Sequence, residues 1–236
     1  MAMLQSMPPL VIDPQTLAAF GKIWEANGGN LSRTPPYSSG ELGKVFDSAV
    51  GLALSVMLGD IPVVELTDYN TLLPSRPDCV EVGPVRVVGG VRPQNFDVGY
   101  RPDGIRIAFD SKTLNDAKSV GKNWQNMVND LATEATTVHS RFPHAVVAFI
   151  VACPEPCVSS NLRAITETLE RLARRNAVDG SLYMAEAISL VLWKPEDGSI
   201  DLSLPDPSSP LRIENFSKQV EAAYVSRYKG LPPHAK

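Results

Sequence analysis

Residues 105–112 read IRIAFDSK, a stretch that alternates apolar with polar or small residues and then closes on an acid, a serine and a lysine. Alternation with a period of two is typical of a β-strand that buries one face. Residues 95–100, NFDVGY, alternate in a similar way, and the tetrapeptide RPDG between the two stretches has proline and glycine where a type I turn favours them. The sequence therefore predicts a β-hairpin here.

The register of this hairpin is predicted by counting outward from the turn. The predicted partners are Tyr100 and Ile105, Val98 and Ile107, and Phe96 and Phe109. All six side chains are apolar or aromatic and share one face, which must be buried. On the opposite face Asp97 becomes a diagonal neighbour of Asp110 at roughly 7 Å. Lys112 follows on that face, so the hairpin brings two acids and a lysine together.

Two interpretations of this polar face remain open. Polar residues on the second face are ordinary in an antiparallel sheet that is half exposed to water. A binding site is the other interpretation, because the nearest residues on the same face, Gly99 and Ala108, are small and leave room for a ligand beside the acids.

The composition limits the class of protein. The chain has 236 residues, of which 44% are hydrophobic, and this suits one large domain with a full core. No apolar run is long enough to cross a bilayer, and residues 1–14 lack the basic region and apolar core of a secretory signal. We therefore expect a cytoplasmic protein of prokaryotic type that does not bind membranes. The net charge of -4 disfavours a protein coated in positive charge but allows a local basic cleft.

The cysteines and histidines do not indicate a metal site of their own. Cys79, Cys153 and Cys157 are too few for a disulfide framework and suit a reducing compartment. Cys153 and Cys157 lie in the sequence CPEPC, but no second pair follows at ligand spacing, so buried or loop thiols are the preferred interpretation. The three histidines are scattered, which disfavours a histidine-based nuclease or a zinc hydrolase.

The remaining pattern predicts a sheet between layers of helices. Helices are predicted over residues 14–27, 39–58, 115–141, 160–176 and 213–229, and further strands over residues 144–153 and 187–193. Residues 144–153, HAVVAFIVAC, form a near-continuous apolar run that is typical of a central strand covered on both faces. Residues 59–92 contain two short strand-like runs, VVEL and VRVV, among prolines. The predicted fold class is α/β, with a central mixed β-sheet flanked by α-helices.

At the hairpin the sequence resembles the PD-(D/E)xK nuclease superfamily, which includes many type II restriction endonucleases, Holliday-junction resolvases and repair nucleases. Members have an acid on one strand and then acid, any residue and lysine on the next strand. Asp97, Asp110 and Lys112 match these positions. Phe96 stands where the family pattern has proline, and the literal PD dipeptide, residues 102–103, lies in the turn.

The resemblance implies a single nuclease domain over residues 1–236. Its restriction-endonuclease-like core would cover about residues 39–193, with the helices at 14–27 and 213–229 as additions. The first interpretation is a type II restriction endonuclease that cuts double-stranded DNA at a specific site. The alternatives are a repair or structure-selective nuclease of the same fold, a noncatalytic DNA-binding or assembly subunit, and an unrelated α/β domain with a polar hairpin face.

The resemblance also implies the roles of the catalytic residues. Asp97, Asp110 and the backbone carbonyl of Ser111 would hold Mg²⁺, for which Mn²⁺ can substitute. Lys112 would orient the attacking water and neutralise the charge that develops on the phosphate.

A further acid often comes from the preceding helix in this family. Residues 42–47, LGKVFD, resemble the G-x-x-F-E pattern found there, with Asp47 in place of the glutamate, and Glu41 is a second candidate. The two acids are separated by about 240° around a helix, so only one of them is expected to face the site.

Contacts to DNA and to a second copy of the chain are expected from function. The predicted DNA-binding residues lie on the polar side of the helix after the motif and are Lys118, Lys122, Asn123 and Asn126. A solvated helix face explains the same four residues. A homodimer is expected because cutting both strands of a symmetric site usually brings two active sites together. The helix at 213–229 either packs onto its own domain or forms the dimer contact.

Overall fold

The computed structural model describes residues 3–76 and 78–234. Its centre is a six-stranded sheet whose strands lie side by side in chain order. The strands are β1 (Val63–Glu65), β2 (Val80–Val88), β3 (Pro93–Tyr100), β4 (Ile107–Thr113), β5 (Val146–Pro154) and β6 (Ala187–Trp193). β2, β3 and β4 form an antiparallel meander, β1 pairs with β2 in parallel, and β4, β5 and β6 are parallel to one another. The predicted mixed sheet is confirmed.

The helices agree with the sequence pattern, with shorter bounds at several ends. They are α1 (Pro14–Ala26), α2 (Ser39–Met57), α3 (Val120–His139), α4 (Glu155–Val158), α5 (Leu162–Leu172) and α6 (Ile213–Tyr228). The Asp13 side chain caps α1 by accepting from the backbone N–H groups of Gln15 and Thr16, and Ser38 caps α2. Within the described ranges, no helix is both long and apolar enough to span a membrane.

Helices cover both faces of the sheet. On β4, Ser111 faces α2 and the next residue, Lys112, contacts α3, so these helices lie on opposite faces. α6 shares the face of α2, because Phe216 packs edge-on against Phe109 with 6.0 Å between ring centroids. Every residue of β5 and β6 is buried, which confirms the prediction of a covered central strand.

The C-terminal helix packs onto its own domain. Phe216, Val220 and Tyr224 of α6 are buried, and Tyr224 packs edge-on against Tyr100 of β3. The apolar side of α6 is therefore covered within the chain.

The hairpin register differs from the predicted one by two residues. Tyr100 pairs with Ile107 and Val98 with Phe109, and the backbone N–H of Arg106 donates to the carbonyl of Tyr100 at 2.9 Å. The prediction assumed a four-residue turn, but Arg106 leaves the ladder because Asp103 and the carbonyl of Pro232 bind its guanidinium group. A shift of two residues preserves the faces, so the six apolar side chains are all buried as predicted.

The segment at 59–92 contains β2, a strand whose sequence pattern is interrupted by proline. β2 is irregular between Val82 and Val85, where Gly83 has φ +119°. Pro84 lies within this irregularity, where no ladder hydrogen bond is required of it. The prolines of this segment therefore interrupt the strand pattern in the sequence without ending the strand.

Candidate active-site cleft

The cleft begins where β3 and β4 separate. Their pairing ends at Val98 and Phe109, so the next residues, Asp97 and Asp110, lie opposite each other across a widening gap. The Oδ2 atom of Asp97 accepts hydrogen bonds from the backbone N–H of Ser111 at 2.9 Å and from its hydroxyl at 3.2 Å. A side-chain carboxylate thus takes the place of the missing backbone contact between the strands.

Lys112 lies between two carboxylates. Its Nζ atom is in close contact with Oδ2 of Asp110 and donates to Oε1 of Glu134 at 2.9 Å. Asp110 is only 6% exposed and Glu134 is buried on α3. The structure therefore brings the three residues of the sequence motif together, and it adds a fourth, Glu134.

Helix α2 contributes a third aspartate to the same cleft. Asp47 is buried and lines the cleft together with Asp97 and Asp110, and no described residue forms a hydrogen bond with its Oδ1 atom. The helix lies close to β4 at Gly43, where a Cβ atom would be only 2.9 Å from Oγ of Ser111. Glu41 instead pairs with Lys44 at 2.7 Å, so Asp47 is the acid of α2 that faces the cleft.

The cleft has a volume of about 410 Å³ and is open to solvent between α2 and β3. Lys44 and Tyr69 also line it, and both are exposed. An ammonium group and an aromatic ring thus accompany the buried acids. Lysine side chains bind the phosphates of a nucleic acid, and aromatic rings stack on its bases.

Burial raises the pKa of all three aspartates in the cleft. It raises the pKa of Asp47 to about 8, with a further contribution from the charge of Asp97. It raises the pKa of Asp97 to about 8, together with the hydrogen bond and charge of Asp110. It raises the pKa of Asp110 to about 7, although Asp97 and Lys112 oppose that shift. The cluster therefore holds protons near neutral pH unless a cation replaces them.

Lys112 stays positively charged in this environment. Burial alone would lower the pKa of its ammonium group, but the carboxylates of Asp110 and Glu134 outweigh burial and raise it. A cationic group is thus held beside the acids at neutral pH.

The cleft offers ligands of the kind that Mg²⁺ prefers. Carboxylate oxygens are hard ligands, and Mg²⁺ is usually held by one or two carboxylates while it keeps several waters. A cation bound here would give the free oxygen of Asp47 a partner and would offset the charges that raise the pKa of Asp97. In the described part of the chain, no group of three or more His, Cys, Asp or Glu side chains stands ready to hold a metal. The carbonyl of Ser111 as a ligand stays a prediction.

The predicted DNA-binding residues lie outside the cleft. They are Lys118, Lys122, Asn123 and Asn126, and all four are exposed around the start of α3. None of them lines the cleft itself. Their role in DNA binding stays a prediction.

Sequence reasoning missed Glu134 and its partner Gln94. Gln94 of β3 donates from Nε2 to Oε1 of Glu134 at 3.1 Å. A signal for Glu134 was present, because it lies three residues after Leu131 and four before Val138, within the apolar side of α3. An acid at a core position of an amphipathic helix indicates a buried partner.

Comparison of the chain with protein-family models, with curated proteins and with solved structures found no match. The functional proposal accordingly depends on the side chains of the cleft.

Proposed function

We propose that the protein is a metal-dependent DNA endonuclease with a restriction-endonuclease-like core, of the type II restriction class that cuts double-stranded DNA at a specific site. One observation carries the proposal. The strands β3 and β4 separate where they bring Asp97 and Asp110 face to face in the cleft, and Nζ of Lys112 pairs with the carboxylate of Asp110.

The residues of the cleft have distinct roles in this proposal. Asp97 and Asp110, with the carbonyl of Ser111, hold Mg²⁺ or Mn²⁺, and Asp47 lies within the same cleft. A bound metal ion supplies a water of lowered pKa and polarises the phosphate. Lys112 remains an ammonium group, which orients the attacking water and offsets the negative charge that develops on the phosphorus centre.

Burial of the acids favours an enzyme over the other interpretations of the hairpin. A polar face that is simply solvated has hydrated acids, whereas Asp47 and Asp110 are buried. Buried carboxylates destabilise a fold unless they are paired or bind a cation. Functional sites are where proteins tolerate such groups.

The proposed partners follow from the reaction. The substrate is double-stranded DNA, and Lys44 and Tyr69 are close enough to the acids to contact it. Lys118, Lys122, Asn123 and Asn126 are proposed to contact DNA outside the cleft. A homodimer is proposed, because a symmetric site requires one catalytic cluster for each strand.

The proposal is tested by digestion of plasmid and phage DNA. The protein is incubated with Mg²⁺, with EDTA, and as the Asp110→Ala variant with Mg²⁺. Discrete fragments that disappear in the last two conditions are the expected result. A smear would favour a nonspecific nuclease of the same fold, and DNA binding without cleavage in Mg²⁺ or Mn²⁺ would overturn the proposal in favour of a noncatalytic subunit.

A further inference from the structure

Glu134 is a buried acid that the hairpin motif does not include. It lies on α3, is 4% exposed, and its Oε1 atom accepts from Nζ of Lys112 at 2.9 Å and from Nε2 of Gln94 at 3.1 Å. Its Oε2 atom is buried and has no hydrogen-bond partner among the residues that the structure describes. Two acids, Asp110 and Glu134, thus surround one lysine.

This arrangement exceeds what a structural ion pair requires. Lys112 already has a carboxylate partner in Asp110, so a second buried acid adds a negative charge, and no other cation within residues 3–76 and 78–234 pairs with it. A buried carboxylate oxygen without a partner destabilises the folded state. Stability alone would favour an apolar residue at position 134, as at the neighbouring core positions Leu131, Ala135 and Val138.

The geometry explains what the second acid provides. Asp110 lies two residues before Lys112 on the same strand, whereas Glu134 approaches the ammonium group from a separate helix. A lysine side chain has a flexible stem, and contacts from two different elements hold its end in one place. Gln94 lies on β3, the strand that carries Asp97, and fixes the carboxylate of Glu134 in turn.

Asp110 by itself is a poor anchor for Lys112. A carboxylate that serves as a metal ligand no longer offers its full charge to a neighbouring ammonium group. Glu134 lines no part of the cleft, and its Oε1 atom accepts from Nζ of Lys112 at 2.9 Å.

We infer that Glu134 is a positioning residue that holds the ammonium group of Lys112 beside Asp110, and that Gln94 fixes Glu134 for this purpose. The inference rests on the proposed nuclease function. Glu134 acts through Lys112 and does not touch the DNA, because it is buried beneath the sheet.

The first test is a kinetic comparison of Glu134→Gln with the unmodified protein. Glutamine keeps the size and one oxygen of the side chain but removes its charge. We expect kcat for DNA cleavage to fall by about 10- to 100-fold, the range for residues that support a ligand or catalytic group. The KM for DNA stays within about twofold, because a residue that acts through Lys112 leaves substrate binding unchanged.

Two further variants complete the kinetic test. Asp130→Asn changes an exposed acid one turn earlier on the same helix and is expected to leave kcat unchanged. Gln94 lies at a half-buried strand position and donates a hydrogen bond to Glu134. Gln94→Ala removes this hydrogen bond and is expected to lower kcat by a smaller factor than Glu134→Gln.

The second test observes the lysine directly in the metal-free protein. In protein labelled with ¹⁵N at lysine Nζ, the Lys112 ammonium signal is assigned through its loss in Lys112→Met. Exchange of its protons with water is expected to be slow in the unmodified protein and in Asp130→Asn, and at least several-fold faster in Glu134→Gln, because an ion pair shields the ammonium group.

The outcomes separate this inference from the proposed function. If the unmodified protein does not cleave DNA, the proposed function fails, and the ammonium signal alone decides whether Glu134 positions Lys112. Unchanged kcat and unchanged exchange in Glu134→Gln would overturn the inference, as would a loss confined to KM. If Glu134→Gln does not show a normal thermal unfolding transition, Gln94→Ala decides, and a kcat equal to that of the unmodified protein would overturn the inference.

Discussion

At the residue scale, the cleft is defined by carboxylates that have lost most of their hydration. Asp47, Asp97 and Asp110 come from α2, β3 and β4, and burial raises the pKa of each well above that of a hydrated aspartate. Mutual repulsion adds to the shift of Asp47 and Asp97. The acids are therefore prepared to exchange protons for a cation.

This leads to a dependence of metal-free stability on pH. In the unfolded chain these aspartates ionise near pH 4, whereas in the folded protein they hold protons up to a pH of about 7 or 8. The folded state binds more protons over this interval, so the free energy of unfolding contributed by these groups falls as the pH rises through it. The test compares the Tm of Asp47→Asn with that of the unmodified protein in EDTA. As the pH rises from about 5.5 to about 8.5, we expect the Tm of the variant to increase by several °C relative to that of the unmodified protein.

Asp130→Asn is the matched control for this measurement. Asp130 is exposed on α3, so its asparagine variant should keep a constant difference from the unmodified protein at both pH values. The account of the acids is wrong if Asp47→Asn shows the same constant difference.

The sequence predicts which residues form the motif better than it predicts which other side chains contact them. Alternation along the hairpin is local information, and it placed Asp97, Asp110 and Lys112 on one face. The choice between Asp47 and Glu41 required the orientation of α2, which depends on close packing at Gly43. Local counting alone cannot supply a contact between a helix and a strand.

At the scale of elements, a buried arginine holds one wall of the cleft. Residues 66–76 follow β1 and form a loop, here called the Tyr69 loop, on the way to β2. Arg101 donates to the carbonyls of Thr71, Leu72 and Leu73 in this loop, and its Nε atom pairs with Glu81 of β2 at 2.5 Å. Both partners of this ion pair are buried. The position of Tyr69 at the cleft thus depends on Arg101.

Removal of this arginine should destabilise the protein strongly. Arg101→Met leaves the carboxylate of Glu81 buried without its counter-charge, and we expect the free energy of unfolding in urea to fall by about 3–5 kcal/mol. The double variant Arg101→Met with Glu81→Gln removes both charges and should lose less than the single variant. An equal or larger loss in the double variant would contradict this explanation.

Sequence periodicity predicts the elements well and their pairing less well. Helices and strands follow from apolar spacing within each segment. The hairpin register was wrong by two residues. Besides Asp103, Arg106 contacts Pro232 and Tyr228, which are more than a hundred residues away in the chain. The side chains on each face of the hairpin were still predicted correctly, since a shift of two residues preserves the alternation.

At the scale of the whole molecule, one buried glutamate connects four parts of the fold. Glu186 pairs with Arg175 at 2.6 Å and with Arg227 of α6 at 2.8 Å, and it accepts from the backbone N–H of Val147 in β5 at 2.7 Å. Nε2 of His139, at the end of α3, lies 3.3 Å from it. Burial tends to raise the pKa of Glu186, but His139 and Arg227 outweigh it and lower the pKa, so Glu186 is a carboxylate at neutral pH.

Neutralising this glutamate should weaken the whole fold. Glu186→Gln leaves two buried guanidinium groups without a counter-charge, and we expect a loss of about 3–5 kcal/mol in the free energy of unfolding by urea at neutral pH. Glu167→Gln is the control, because the pair of Glu167 with Arg163 is exposed and should contribute little to stability. Similar losses in the two variants would show that Glu186 does not connect the elements as described.

The fold class was predictable from the sequence, whereas this network was not. Near-continuous apolar strands between amphipathic helices predict a covered mixed sheet. The partners of Glu186 come from positions 139, 175 and 227, and no local pattern relates these positions. Only the folded arrangement of α3, β5 and α6 brings them together.

The central claim is that Asp97, Asp110 and Lys112 form a metal-dependent site for cutting DNA. The most direct test is the rate of cleavage of supercoiled plasmid as a function of Mg²⁺ concentration, for the unmodified protein, Asp110→Asn and Asp103→Asn. Asp103 belongs to the literal PD dipeptide in the turn, and its side chain is 62% exposed. We expect cleavage by the unmodified protein and by Asp103→Asn to rise with Mg²⁺ and to stop in EDTA, and cleavage by Asp110→Asn to be slower by more than about 100-fold. Failure of the unmodified protein to cut DNA in Mg²⁺ or Mn²⁺, or an Asp110→Asn variant that cuts at the unmodified rate, would contradict the claim.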